Sequence, residues 1–480
     1  MALNSINASV LNDHSSLSPS IVAQLWAKAM QDGVIENEWL SRFQGPEGSN
    51  MPIIEKDDLS VGGAQTMNFT VGSELVDEGQ TGSDSLIGNE EKLNLNTYQL
   101  KIDWVRHGVA ADRRFKGFTF AKRKMEFTKL LSRWMARRKQ IYALLRLIKS
   151  GAYTASGRSN NLIYPGAKAT DDALTTSDRL STGLFSDASI KLLTLGAKPA
   201  NISREEGNEV PYFILWATHR VLRSLVNDSA WNNAQLMGRA REGGADEKNP
   251  LFTGCFSNKT YMGIAPYEIF LPDHDNPKNG AIGSPLEPRA LLRTATTNFT
   301  SVTDIDGGGS DGSGTTRKYF RDFPGYDFTF LPGDSAVTDS NTYYAKIIDL
   351  PGATNNPSKF EIISYTGSTG NNGNKLTAVT RNVAGTTNPD GKHDANSLIV
   401  PCNKQGVAYA HVIITGANAL LRGYGNNGEG GSGREALQVD NQDYNFVNGA
   451  AVEAVFGQTP AQRRDGKFPN FVIAKVATGL

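Results

Sequence analysis

GFTFAKRKMEFTKLLSRWMARRKQIYALLRLIKS, residues 117–150, carries the period of a long helix. Phe127, Leu130, Leu131, Trp134, Ile141, Leu144, Leu145 and Ile148 recur at three- and four-residue steps. Gly151 follows as an end signal. At ~1.5 Å per residue, about 33 residues make roughly 50 Å of helix, far beyond the average of 11–12 residues. Lys122, Lys129, Arg133 and Arg137 fall at steps of four or seven along another face. The expected helix therefore has one apolar side and one basic side. Residues 101–150 hold fifteen Lys/Arg against three acids (Asp103, Asp112 and Glu126), a balance of +12. So little local neutralisation leaves two readings: acids elsewhere in the fold pair with these cations, or a polyanion does. Phosphates need Lys and Arg but no base-reading geometry, and counterion release supplies the free energy.

The rest of the chain sets the context. It has 480 residues, 49 Lys+Arg against 49 Asp+Glu, 49 Gly and 2 Cys. That length allows about three domains, or one large domain with insertions. A hydrophobic fraction of 39% is enough for real cores. The high glycine content points to many turns and β-structure. Two cysteines, Cys255 and Cys402, exclude a disulfide scaffold and a multi-cysteine zinc module. Each is expected to pack as a small buried hydrophobe. The first twenty residues have neither a basic nor a long apolar region, so no signal peptide is expected. No apolar run reaches bilayer length, and no membrane role is expected.

Outward from the helix, residues 1–17 read as a polar arm. Ser18-Pro19 then starts a short helix with an apolar stripe at Ile21, Leu25, Trp26 and Ala29, stopped by Gly33. Residues 59–110 read as a long hairpin. Met67–Val71 and Leu93–Val105 alternate as strands around a polar, Gly-rich, acidic tip. A hairpin with little of its own to pack against is expected to lie on a partner. After the helix come loop-rich residues 151–185 and helices at Asp187–Leu195, Thr218–Asn227 and Ala230–Ala240. Strands are expected at Tyr212–Trp216 and Met262–Leu271. Residues 296–400 read as an inserted β-domain, with strands at Tyr343–Ile348, Phe360–Tyr365, Leu376–Arg381 and Leu398–Val400. This segment carries eight basic and eleven acidic residues. A helix near Val407–Arg422 and strands near Val452–Phe456 and Phe471–Val476 complete the reading.

The motifs for chemistry are weak. Gly423, Gly425 and Gly428 match a dinucleotide-loop spacing but lack a strand before them and a helix after them. GGGSDGSGTT, residues 307–316, lacks the Gly-Lys-Ser/Thr of a phosphate loop. The pairs Asp273/Asp275 and Asp304/Asp306 have no glutamate at the twelfth loop position. The six histidines form no metal motif, and no nucleophile elbow is present. The expectation is no catalytic residue, no cofactor and no metal.

One ordered set of motifs carries a resemblance. It consists of Leu86-Ile87-Gly88-Asn89-Glu90-Glu91-Lys92-Leu93, Leu131-Ser132-Arg133-Trp134, Asn249-Pro250-Leu251-Phe252-Thr253-Gly254, Tyr261-Met262-Gly263, Ala417 to Gly425, and Asp443-Tyr444. In this order the chain resembles a tailed-bacteriophage major capsid protein of the HK97-like fold. More narrowly, it resembles the branch in short-tailed phages that carry a virion RNA polymerase. The resemblance implies an α+β fold divided into an N-terminal arm and short helix (1–58), an extended loop (59–110), and a peripheral domain with a spine helix (111–209). It further implies an axial domain in two parts (210–295 and 401–450), the inserted domain (296–400), and strands returning to the peripheral domain (451–480). It implies a non-enzymatic subunit that assembles with itself into hexamers and pentamers of an icosahedral head. Double-stranded DNA would face Lys122, Lys129, Arg133 and Arg137 of the spine helix. Leu86, Asn89, Glu90 and Glu91 of the extended loop would reach a neighbouring subunit. Portal and scaffolding proteins, and a decoration protein, are further implied partners. The implied location is the virion, after assembly in the host cytoplasm. The alternatives are an encapsulin-like compartment, a β-rich virion binding protein, and an oligomeric enzyme using the Gly423 loop or a Ser-His-Asp triad assembled in space.

Overall fold

The computed structural model describes residues 38–57, 66–72, 95–112, 120–154, 157–158, 161–203, 209–233, 261–269, 285–287, 290–292, 305–306, 342–349, 360–365, 367–369, 375–377, 380–383, 393, 397–426, 433–442, 447–462 and 467–478, with positions 79, 81–82, 87 and 90 in the hairpin tip. The expected arm and short helix before residue 38 lie outside these residues, as do Cys255, residues 307–316 and Asp273/Asp275. The chain divides into two compact units. The first comprises residues 1–44, 55–142 and 421–459; the second comprises 45–54, 143–420 and 460–480.

In the first unit a hairpin forms, but its second arm stops at Lys101 rather than running through the expected Val105. Thr66–Gly72 pairs antiparallel with Leu95–Lys101, in register from Thr66↔Lys101 to Gly72↔Leu95. The next strand, Asp103–Asp112, pairs residue for residue with Val447–Pro460, from Phe456↔Asp103 to Val447↔Asp112. Ala436–Gln442 lies on the other side of Val447–Pro460, and the sheet also includes Leu420–Tyr424 and Ile53–Lys56. The long helix runs Phe120–Ala152. Its apolar stripe differs from the expected one. Leu130 is 56% exposed, whereas Leu131, Met135 and Tyr142 are buried. Every residue from Lys139 to Ile148 is buried, so this half of the helix is core on all sides. Nor does Gly151 end the helix. A Cβ there would stand 2.5 Å from Phe471 Cε2 and 2.6 Å from Ile473 Cγ1, so the glycine lets the helix lie against Phe471–Ala477.

The second unit is built on a sheet in the order Ile264–Glu268, Glu209–Ala217, Tyr409–Thr415, Phe471–Ala477, Leu162–Ile163. Helices Thr182–Leu195 and His219–Val226 cover one side. Leu184, Phe185, Ala188 and Leu192 of the first, and Val221, Leu222 and Leu225 of the second, share a core with Phe213, Leu215, Val412, Ile414, Val472 and Val476. Burying side chains of this size contributes roughly 1.5–3 kcal/mol each. The first helix starts at Thr182, five residues before the expected Asp187. Its N–H and hydroxyl both donate to Asp228 Oδ2, at 2.7 and 3.0 Å, so a distant carboxylate supplies the start signal.

The expected helix near Val407–Arg422 is instead two strands, Tyr409–Thr415 and Leu420–Tyr424. Every residue of both is buried. A strand buried on both faces shows no alternation, and only the β-branched run Val412-Ile413-Ile414-Thr415 argues against a helix. Consequently residues 401–450 do not form one part. Tyr409–Thr415 belongs to the second unit, while 421–459 belongs to the first. Phe471–Ala477 pairs antiparallel with Tyr409–Thr415 and parallel with Leu162–Ile163.

A third sheet in the second unit holds the inserted region, in the order Ile305–Asp306, Ala290–Leu292, Leu398–Cys402, Tyr343–Ile348, Phe360–Tyr365. Its strands Tyr343–Ile348 and Phe360–Tyr365 have the expected bounds. Ala290–Leu292 joins it from before residue 296, and Leu398–Cys402 runs past residue 400. Cys402 is buried, and burial pushes its thiol up to about 12, so it packs as an inert apolar group.

Candidate assembly and nucleic-acid surfaces

The basic helix sorts its cations into two kinds. Lys129 and Arg133 are exposed and have no acidic partner among the described residues. Arg137 is half-buried. Lys122 lies on the helix, its side chain outside the described residues. By contrast Lys139 is 2% exposed and Arg146 is 6% exposed. The buried positions Leu131, Met135, Lys139, Tyr142 and Arg146 follow one another at steps of three and four. Lys139 and Arg146 thus occupy the apolar stripe itself. Internal pairing therefore accounts for Lys139, while Lys129 and Arg133 stay at the surface of the same helix.

Around Lys139 the first unit builds a buried charge network. The Lys139 ammonium pairs with the Glu435 carboxylate and donates to Tyr424 Oη at 2.8 Å. It also lies 4.9 Å from the Tyr424 ring centroid and 5.5 Å from that of Phe456. Arg422, fully buried, reaches Glu38 Oε1 with Nη2 at 2.7 Å and Glu55 Oε1 with Nη1 at 3.2 Å. Gln458, with its amide oxygen turned inward, accepts from Arg422 Nε at 3.2 Å. Arg434 binds Asp57 Oδ2 at 2.8 Å and Glu55 Oε2 at 3.4 Å, with its guanidinium 4.6 Å from the Tyr424 ring centroid. Burial pushes the Lys139 ammonium down to about 7, against the pull of Glu38 and Glu55. Burial pushes the Glu55 carboxyl up, but Arg422, Lys139 and Arg434 outweigh it and leave it below its ordinary value. Sequence reasoning missed this network. The available signal was a lysine and an arginine on the apolar stripe, which need buried acids to be tolerated.

The hairpin is anchored at one end and open at the other. Met67, Phe69 and Leu100 near its base are buried at 2%, 3% and 1% exposure, so the base packs on its own unit. At the tip Ile87 is 86% exposed, and Gly79, Thr81, Gly82 and Glu90 are exposed. Leu86, Asn89 and Glu91 lie outside the described residues.

A second buried cluster crosses the inserted sheet. His393 contacts Asp349 Oδ1 with Nδ1 at 3.1 Å and Glu361 Oε2 with Nε2 at 3.0 Å. Arg381 Nε donates to Glu361 Oε1 at 2.7 Å, and Ser397 Oγ donates to Asp349 Oδ1 at 2.5 Å. Burial pushes the Glu361 carboxyl up, but the bonds from Arg381 and His393 outweigh it and hold it down to about 2.

Among the described residues no group of three or more His, Cys, Asp or Glu could hold a metal, and no helix is long and apolar enough to cross a membrane. Gly423 and Gly425 do not open a nucleotide loop. Gly423 lies within the strand Leu420–Tyr424, and the Gly425 N–H donates to Val455 O at 2.8 Å. Gly428 lies outside the described residues.

The comparisons with known proteins agree with this arrangement. No curated protein matches the sequence. Among solved structures, the chain is similar to the capsid of Ralstonia phage GP4, at 14% identity and a TM-score of 0.53 over 92% of each chain. It is also similar to the capsid asymmetric unit of cyanophage Pam1, at 13% identity and a TM-score of 0.51, over 92% of this chain and 93% of that one. At such identities the likeness establishes the fold, which is the HK97-like α+β capsid fold. The model of the family described as "Phage capsid protein" matches residues 15–257, half of the chain, including the hairpin, the long helix and the strand Glu209–Ala217. This chain belongs to the phage capsid protein family.

Proposed function

We propose that the chain is the major capsid subunit of an icosahedral phage head, joining copies of itself into hexamers and pentamers around double-stranded DNA. The observation that carries the DNA half of this reading is the division of the helix charges. Lys139 is absorbed by the subunit, while Lys129 and Arg133 remain at the surface. The hairpin supports the self-association half, because two strands with only their base packed on the subunit have little of their own to pack against. In this reading the hairpin, with Leu86, Asn89, Glu90 and Glu91, overlies a neighbouring subunit. Closed symmetry then repeats the contact, and modest interfaces gain avidity. The first unit acts as the peripheral domain. The sheet of Glu209–Ala217, Tyr409–Thr415 and Phe471–Ala477 acts as the axial core. Portal and scaffolding proteins are the partners that such a head requires, and assembly takes place in the host cytoplasm.

The test is the salt dependence of duplex DNA binding by the subunit and its Lys129→Gln/Arg133→Gln variant. Each lost phosphate contact lowers the slope of log K against log salt by roughly 0.9, so the pair lowers it by roughly 2. An unchanged slope overturns the DNA-facing assignment. Purified shells filled with protein cargo and free of nucleic acid would favour the encapsulin-like compartment.

A further inference from the structure

The base of the hairpin rests on three glycines of the first unit, and each keeps clear a space that a side chain would fill. A Cβ on Gly457 would stand 2.1 Å from Lys101 O and 3.2 Å from Leu100 Cδ1. One on Gly423 would stand 2.8 Å from both Leu100 Cδ2 and Met67 Sδ. One on Gly425 would stand 3.0 Å from Ile102 Cγ2 and 2.9 Å from Val455 Cγ1. Gly423 lies in the strand Leu420–Tyr424, with Gly425 next to its end, and Gly457 lies in Val447–Pro460. Two segments of one sheet thus lack side chains where Met67, Leu100, Lys101 and Ile102 come down.

From this juxtaposition we infer that Gly423, Gly425 and Gly457 form a seat that sets the angle at which the hairpin leaves the subunit. They are positioning residues for the contact the hairpin makes with a neighbouring copy. The physical reason is leverage. Seven-residue arms at ~3.4 Å per residue span roughly 20 Å, so a small shift at the base becomes a larger one at the tip. A methyl on Gly457 meets backbone, the Lys101 carbonyl, which must retreat by more than an ångström. Glycine in a strand interior is otherwise unfavourable, and close approach of another backbone is a physical reason to keep it there. Gly108, in the adjacent strand Asp103–Asp112, is different: its Cβ would meet Ala451 Cβ at 3.4 Å, an ordinary contact.

The inference rests on the reading that the hairpin joins subunits, and the experiment separates the two. Spin labels are placed on cysteines substituted at Ile87 and Arg106, with Cys255 and Cys402 replaced by serine. Distances are measured in the unassembled labelled chain, and shell yield is measured on the unlabelled chain, with Ile87 in place, by sedimentation and electron microscopy. Gly457→Ala is expected to move the label-to-label distance and lower shell yield by roughly tenfold, with an unchanged circular dichroism spectrum. Gly108→Ala is expected to do neither. Gly423→Ala is expected to behave like Gly457→Ala, and adding Leu100→Ala, which removes one of the two colliding side chains and leaves room for the flexible Met67 thioether to turn aside, is expected to restore distance and yield. Should Gly457→Ala fail to fold, the Gly423→Ala and Leu100→Ala pair decides. An unchanged distance in a folded glycine variant, or no restoration by Leu100→Ala, overturns the seat. A changed distance with normal shells overturns instead the reading of the hairpin as the joining element.

Discussion

Replacing Arg422 by methionine tests the buried network beneath the basic helix. Arg422 is fully buried and joins Glu38 at 2.7 Å with Glu55 at 3.2 Å. Without it Glu55 keeps Arg434 at 3.4 Å and the Tyr424 hydroxyl at 3.3 Å, but the Glu38 carboxylate keeps only the amide of Gln44, at 2.8 Å, among the described residues. Removing one member of a buried pair costs about 3–5 kcal/mol, because the other charge is stranded. The residual bonds put Arg422→Met at the lower end, about 3 kcal/mol. Glu38→Leu alone strands Arg422 less, because Glu55 remains, and should cost about 2 kcal/mol. Together the two replace a salt bridge by apolar packing, and the double variant should lose no more than about 3 kcal/mol, well short of the sum. The assay is urea unfolding of the unassembled chain, read through Trp39 and Trp134 of the same unit. Losses that add to within about 0.5 kcal/mol would show that the two residues do not act as a pair, and would refute the network.

Three other outcomes are expected. His411 is buried, and burial, reinforced by Lys475 and opposed by Asp171, pushes its imidazole down to about 3. Above pH 6.5 neither the folded nor the unfolded chain carries that proton. Between 6.5 and 3 only the unfolded chain binds it, so stability falls with acid by up to roughly 4–5 kcal/mol. His411→Leu should flatten the stability–pH curve in that window, measured by urea midpoints; an unchanged slope would be the contrary result. Glu361, held down to about 2, contributes stability that is complete above about pH 4.5 and lost towards pH 2. Glu361→Gln should remove that lower-pH portion of the slope, in the same titration. Gly151→Ala should destabilise the second unit by about 1–3 kcal/mol despite alanine's better helix propensity, because its methyl collides with Phe471 and Ile473. A stabilised variant in thermal melts would contradict the packing account.

The parts of the fold legible in the sequence were those with one dry face and one wet face. The hairpin strands alternate buried Met67 and Phe69 with exposed Thr66 and Asn68, and residues 128–138 of the long helix alternate at helical spacing. Legibility failed where both faces are dry. Tyr409–Thr415 and Leu420–Tyr424 were expected as one helix because uniform burial erases the period, and the glycines that end Leu420–Tyr424 resembled a ligand loop. It failed again where a partner lies far along the chain. Glu38, Glu55, Arg422, Arg434 and Glu435 sit among ordinary neighbours, and only the fold gathers them around Lys139. The basic face at Lys129 and Arg133 was visible because nothing in the surrounding sequence balances it. The division of the helix between surface and core was not, since fifteen cations in one segment look alike until burial separates them.

In the proposed head, the subunit's surface is completed by copies of itself. The most direct measurement is electron cryo-microscopy of the expressed chain across a concentration series. Rings of five and six subunits are expected, with closed shells in which the hairpin of each subunit, Ile87 included, lies against the next. A monomer at every concentration, with the hairpin tip folded onto its own body, would contradict it.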